Sequence, residues 1–148
     1  MGAWDYLVQE RRLRPDQIIV FGRSLGGAVA ASLAAKVTPA AVILESTFTS
    51  VKELGKYLYP YLPVSRISRI HYPVDKHISS FNCPVLVIHS HQDDVVPVRF
   101  GRRLFEYARE PKMFLSISGD HNYGFILSKD VYVKGIKQFL QTRVNDQF

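Results

Sequence analysis

Apolar runs, the last interrupted by Ser116, recur along the chain: Ile18-Ile19-Val20-Phe21, Ala40-Ala41-Val42-Ile43-Leu44, Pro84-Val85-Leu86-Val87-Ile88-His89 and Met113-Phe114-Leu115-Ser116-Ile117. None alternates with polar residues, as a half-exposed strand would. Continuous apolar runs of this length read as strands buried on both faces, the habit of parallel sheets. The predicted strands are residues 17–21, 40–44, 84–89 and 113–117. Helical patterns fill the intervals. The small-residue stretch from Ala28 predicts a helix to about residue 36, stopped by Thr38-Pro39. A second helix follows Val95-Val96-Pro97 to about residue 109. A third covers 130–144, with Val131, Val133, Ile136, Phe139 and Leu140 as its apolar members. The chain opens with a predicted helix over 3–12, with Trp4, Leu7, Val8 and Leu13 on one side, ended by Arg14-Pro15-Asp16. Four rounds of strand and helix predict an α/β fold: a mainly parallel four-stranded sheet flanked by helices.

Residues 48–82 break this rhythm. A short helix is predicted over 51–58, followed by Tyr59-Pro60-Tyr61-Leu62-Pro63 and a mixed stretch to His71-Tyr72-Pro73. Asp75 is placed to cap one turn through Ile78. The segment reads as a lid-like excursion within one domain spanning 1–148. Tyr57, Tyr59, Tyr61 and Leu62 either line a substrate pocket or pack the excursion onto the sheet; the pattern does not choose between them. His71 and His77 read as loop residues.

Composition narrows the classes. The chain is 47% hydrophobic and 22% charged, with a net charge of +6, which is ordinary for a globular domain. The basic residues are scattered and not interleaved with aromatics, so no nucleic-acid platform is expected. No apolar run reaches membrane-spanning length, so stable membrane insertion is not expected. The N-terminus lacks a basic lead and an apolar block, and the single cysteine, Cys83, forms no internal disulfide. A cytoplasmic location is the expectation, with Cys83 as a small core residue.

The chemistry centres on Gly22-Arg23-Ser24-Leu25-Gly26. A strand runs into it and a helix leaves it, so Gly-x-Ser-x-Gly reads as a nucleophile elbow. The serine sits at the apex of a strained turn, and side chains at Gly22 or Gly26 are expected to collide across it. The helix that follows aims its amide dipoles at the hydroxyl. Arg23 is expected on the surface. In parallel sheets ligands gather beyond the carboxyl ends of the strands. Ser24 follows the first strand, Asp93 the third and His121 the fourth. A serine needs an imidazole to take its proton, and the imidazole needs a carboxylate to fix its tautomer. Asp94, next to Asp93, and Glu45, after the second strand, compete for the carboxylate role. His89, at the end of a buried strand, reads as a packing and hydrogen-bonding residue; His89, His91 and Asp93 do not make a metal site. No metal or cofactor is expected.

The order Ser, Asp, His is that of the α/β-hydrolase superfamily. The chain resembles the C-terminal half of a serine hydrolase of that superfamily, near the depalmitoylating and prolyl-oligopeptidase-like members. The residues that carry the likeness are Gly22 to Gly27, Glu45-Ser46-Thr47-Phe48-Thr49-Ser50, Pro84 to His89 with Asp93 and Val96-Pro97, and Gly119-Asp120-His121-Asn122. Ser90 and Asp120 stand where the family has glycine, usually at the first and often at the second. The resemblance implies a partial α/β-hydrolase fold without the usual N-terminal strands. It implies Ser24 as nucleophile, Asp93 as acid, His121 as base and the Leu25 amide as one oxyanion donor. The implied substrate is a small-molecule ester or thioester.

In such relatives an earlier strand and loop supply the second oxyanion donor, and loss of one donor costs about a hundredfold or more in rate. The first strand here is expected to be a bare apolar edge, and self-association through it, giving a homo-oligomer, is the favoured outcome. Two functions follow. One is a cofactor-independent serine hydrolase. The other is an inert α/β-hydrolase-like module that assembles with another chain.

Overall fold

The four apolar runs form one four-stranded sheet in the order β1-β2-β3-β4, parallel throughout. In the computed structural model, which describes residues 2–63 and 72–144, these strands are β1 Ile19–Arg23, β2 Ala41–Glu45, β3 Val85–Ser90 and β4 Lys112–Ile117. The helices are α1 Gly2–Asp5, α2 Leu25–Ala34, α3 Val51–Leu58, α4 Val74–Ile78, α5 Val98–Tyr107, α6 Gly124–Leu127 and α7 Lys129–Phe139. Part of the predicted lid-like excursion, with His71, lies outside the described residues. His77 lies on α4 and not in a loop. Pro73 occupies the N-cap of α4, and the Asp75 carboxylate accepts from the Lys76 amide at 2.9 Å.

Three boundaries differ from the sequence expectation. β1 starts at Ile19 because Pro15–Gln17 forms a 3-10 turn, in which the Arg14 amide donates to the Gln17 side chain at 3.0 Å. The first helix passes into a π turn at Tyr6–Glu10, and Arg12 then takes a positive φ of 54°. That rotation leaves Leu13 exposed while Trp4 is buried and Leu7 and Val8 pack on the core. Ahead of the last helix, which begins at Lys129, lies a further short helix, α6.

Successive strand residues face opposite sides of the sheet. Val42, Leu44, Val85 and Val87 point to one side, where the alanines of α2, Val74 and Ile78 of α4, and Phe100 and Leu104 of α5 cover them. Ile43, Leu86, Ile88, Leu115 and Ile117 point to the other, beneath Ile136, Phe139 and Leu140 of α7 and its continuation. Tyr132 joins this seam, whereas Val131 and Val133 face outward. β1 contributes Val20 to the first side. Its Ile19 and Phe21 turn to the second and remain 40% and 48% exposed. Among the described residues β1 pairs only with β2.

The contact between α2 and the strand ends depends on missing side chains. A Cβ on Gly22 would lie 2.4 Å from the Gly26 carbonyl oxygen and 2.5 Å from the Ala30 methyl. A Cβ on Gly27 would lie 2.6 Å from Thr47. Gly26 has nothing within 4 Å of that position, so the expectation that a side chain there would collide is corrected: Gly22 and Gly27 permit the close approach. Gly27→Ala is therefore expected to lower stability by about 1–3 kcal/mol through overpacking. Gly26→Ala, in an open helical position, is expected to leave it unchanged or raise it by up to about 1 kcal/mol. Urea denaturation of the two variants checks the contrast.

Candidate active site

β1 ends by turning sharply. The Ser24 amide still donates to the Glu45 carbonyl at 2.9 Å, carrying the sheet ladder one residue past the strand. Ser24 then takes φ 50° and ψ −122°, and α2 begins at the next residue. A non-glycine residue held there costs about 1–3 kcal/mol unless its surroundings fix it. Here they do. The Thr47 hydroxyl donates to the Ser24 carbonyl at 2.7 Å, and the Gly27 amide donates to the same oxygen at 3.0 Å. Leu25, as the first residue of α2, has a backbone N–H without an acceptor inside the helix.

The structure brings Ser24, His121 and Asp93 into one hydrogen-bonded row at the carboxyl end of the sheet. Ser24 Oγ lies 3.0 Å from His121 Nε2, and His121 Nδ1 lies 3.0 and 2.9 Å from the two Asp93 oxygens. The Asp93 side chain is fully buried. Its Oδ1 also accepts from the Val95 and Val96 amides at 3.0 and 2.7 Å. Those donors compensate the desolvation that a buried carboxylate otherwise suffers.

The two competing carboxylates are engaged elsewhere. Asp94 Oδ1 accepts the backbone N–H of His121 at 2.9 Å, and this contact holds its carboxyl below the usual range. Glu45 is buried. It accepts from the Tyr132 hydroxyl at 2.7 Å and pairs with Arg23 Nε at 3.2 Å. Burial, and then this contact, push the Tyr132 phenol pKa up.

Arg23 corrects the expectation of a solvated residue. Its side chain is only 32% exposed. Its Nη2 donates to the His121 carbonyl, and the guanidinium lies 5.4 Å from the centre of the Phe125 ring. The loop that carries His121 is thus tied down on several sides. Gly119, at φ 103°, donates its amide to the Gln92 side chain at 2.9 Å. The Ser90 hydroxyl donates to the Gly119 carbonyl. Asp120 Oδ1 accepts the Asn122 and Tyr123 amides at 2.8 Å each. Ser90 and Asp120, which depart from the family's glycines, are used as loop fasteners. Sequence reading missed Arg23, Gln92 and Tyr132. Tyr132 had a signal, since Tyr132, Ile136, Phe139 and Leu140 follow helical spacing.

His89 is wholly buried, and its Nε2 donates to the Val96 carbonyl at 2.8 Å while lying 3.5 Å from Asp93 Oδ2. Burial lowers its pKa against the pull of Val96 and Asp93. His89 therefore braces the turn that carries Asp93 as a neutral ring. Cys83 is buried, and desolvation pushes its thiol up to about 11. Among the described residues no three His, Cys, Asp or Glu side chains are grouped to hold a metal ion. Of the side chains expected near a pocket or packed on the sheet, Tyr57 meets Phe100 edge-on at 6.3 Å, and Tyr59, Tyr61 and Leu62 are exposed.

No protein-family model matches the chain. An uncharacterised protein of Mycobacterium tuberculosis is 41% identical over 140 residues, covering 94% of this chain and 50% of that protein. Alpha/beta hydrolase domain-containing protein 17B of Homo sapiens is 32% identical over 140 residues, covering 94% of this chain and 46% of its own. Lysophosphatidylserine lipase ABHD12 of Danio rerio is 33% identical over 135 residues, covering 79% and 34%. The chain thus spans half or less of each of these relatives. Among solved structures, the esterase domain of a Rhodothermus marinus protein superposes with a TM-score of 0.69 at 21% identity, over 93% of this chain and 65% of that one. That last likeness is one of fold.

The depressed His89 pKa sets a pH dependence. The unfolded imidazole takes a proton near its ordinary 6.5, whereas the folded one resists. Stability is full above about pH 6.5 and is lost as pH falls below it, by up to about 1.4 kcal/mol per unit until the folded ring titrates. Urea denaturation between pH 7.5 and about 5 reads this loss, and His89→Gln is expected to flatten the slope.

Proposed function

The chain belongs to the α/β-hydrolase superfamily, and we propose that it is a serine hydrolase acting on carboxylic esters or thioesters. The observation that carries this reading is the continuous row from Ser24 Oγ through His121 to the buried Asp93 carboxylate. Ser24 Oγ attacks the acyl carbon while His121 Nε2 takes its proton. Asp93 holds the Nδ1 proton and offsets the charge that develops on the ring. The Leu25 amide, at the positive end of α2, donates to the oxyanion. The tetrahedral intermediate collapses to an acyl-enzyme, with the leaving oxygen or sulfur protonated by His121. Water, activated by the same imidazole, then releases the acid and restores Ser24. No cofactor enters this sequence. The names of the lipase and esterase-domain relatives fit an ester substrate.

A second reading is favoured by one feature: Ile19 and Phe21 are exposed on a strand paired on one side only among the described residues. On this reading β1 is completed by another chain, most simply a second copy, and the domain works as an assembled module. A reducing, cytoplasmic setting suits the single buried thiol. No helix among the described residues is long and apolar enough to cross a membrane.

Two measurements separate the readings. A fluorophosphonate probe is expected to label the wild-type protein, with labelling lost in Ser24→Ala. Asp93→Asn is expected to lower kcat by about ten-thousandfold through the wrong His121 tautomer. A folded protein that takes no label counts against the hydrolase. Light scattering after size-exclusion chromatography is expected to give a mass above that of one chain, reduced by Phe21→Lys; a wild-type monomer counts against self-assembly.

A further inference from the structure

A cavity of about 520 Å³ lies between α3 and α5 and is unused by the chemistry above. Its size falls within the ~300–1,000 Å³ of small-ligand sites. α3 follows the end of β2, and α5 follows the turn that carries Asp93. Both helices therefore begin at the carboxyl end of the sheet, the end that holds Ser24.

Its walls are of two kinds. One is apolar, with Tyr57 and Phe100 in edge contact and Pro60 beside them. The other carries Lys56, Arg99 and Arg103 against the single carboxylate of Glu53. Arg103 is already committed, donating to both Glu53 oxygens at 3.2 and 3.1 Å and to the Tyr107 hydroxyl at 3.3 Å. Arg99 is held differently. Its guanidinium lies over the Tyr57 ring, 4.5 Å from the centroid, and 5.5 Å from that of Phe100. Stacking fixes the plane of the fork and leaves its N–H edges free to donate. Among the described residues neither Lys56 nor Arg99 has an ion-pair partner. Two positive charges thus remain over an aromatic floor.

We infer that this cavity binds a phosphate-bearing amphiphile, its phosphate on Arg99 and Lys56 and its first methylenes along Tyr57, Pro60 and Phe100. A carboxylate is satisfied by one fork, whereas a phosphate offers further oxygens for a second cation. A wholly polar anion would leave the aromatic wall unused. As a binding site the cavity stands alone; as the place where an ester substrate is recognised, it rests on the serine-hydrolase reading.

The test is calorimetric titration of the full chain carrying Ser24→Ala, so that nothing depends on turnover. The probes are octyl phosphate, inorganic phosphate and octyl glucoside, each below its micelle concentration. Octyl phosphate is expected to bind at least about tenfold more tightly than either of the others. Arg99→Gln with Lys56→Gln is expected to weaken it by about tenfold or more. Both residues are exposed, so the double variant is expected to stay folded, losing no more than the exposed cation–π stacking of Arg99. Equal affinity for octyl glucoside overturns the inference, as does undiminished binding by the double variant. Inorganic phosphate binding as tightly as octyl phosphate overturns the amphiphile and leaves a free-anion site. Sedimentation with anionic phospholipid vesicles, without binding of monomeric octyl phosphate, reassigns the patch to a bilayer surface. Failure of the hydrolase reading shows separately, as absent labelling of the wild-type serine.

Discussion

The close approach of α2 to the ends of β1 and β2 is the constraint on which the site depends. Gly22 and Gly27 remove the atoms that would hold the helix away, and Thr47 fills the gap with a hydroxyl aimed at the Ser24 carbonyl. Only then does the chain leave the sheet at Ser24 with a positive φ and enter a helix at the next residue. The strain is local and its compensation is distributed. Part comes from the glycine next along the helix and part from the strand alongside. The position of Ser24 is therefore a property of three elements in contact, not of a five-residue motif.

The imidazole depends on a second set of contacts, made by loops and not by the sheet. The turn after β3 and the loop after β4 hold each other through Ser90, Gln92, Asp94 and Gly119. Arg23 adds a tie from the residue just before Ser24, so serine and imidazole are registered by consecutive residues at the end of β1. Beneath them, on the α7 side of the sheet, a buried carboxylate accepts from a phenol and pairs in charge with a guanidinium. Buried charge of this kind is tolerated only when its partners are present. That condition explains why Glu45 is structural in its contacts and does not reach the imidazole.

Much of this was legible before any coordinates. Apolar runs marked all four strands; burial on both faces removes polar positions from β2 and β3, whereas β1 keeps apolar residues on a face that stays partly exposed. Residues that follow strand ends converge by topology alone, which is why Ser24, Asp93 and His121 could be named together. What was hidden depended on three-dimensional register. Arg23 lies opposite Glu45 in the β1–β2 pairing, and a linear pattern does not display partners. Val131 and Val133 were read as helix members by composition, whereas the buried seam runs through Tyr132 and Phe139. Gly26 was assigned a steric role that belongs to Gly27, because the side on which a helix meets a strand is set by packing.

β1 and β4 are the outer strands of the described sheet, about 14 Å apart at the usual strand spacing. Yet the groups that follow them meet at 3.0 Å, across 97 residues of sequence. The loop carrying His121 has to arch over the ends of β2 and β3 to reach Ser24. Such a contact has high sequence separation and closes only after its loop entropy has been overcome. With the elbow formed but the last strand undocked, Ser24 Oγ would lack its His121 partner. The Ser24–His121 hydrogen bond thus needs the whole width of the sheet in place, and its presence reports that the fourth strand has docked.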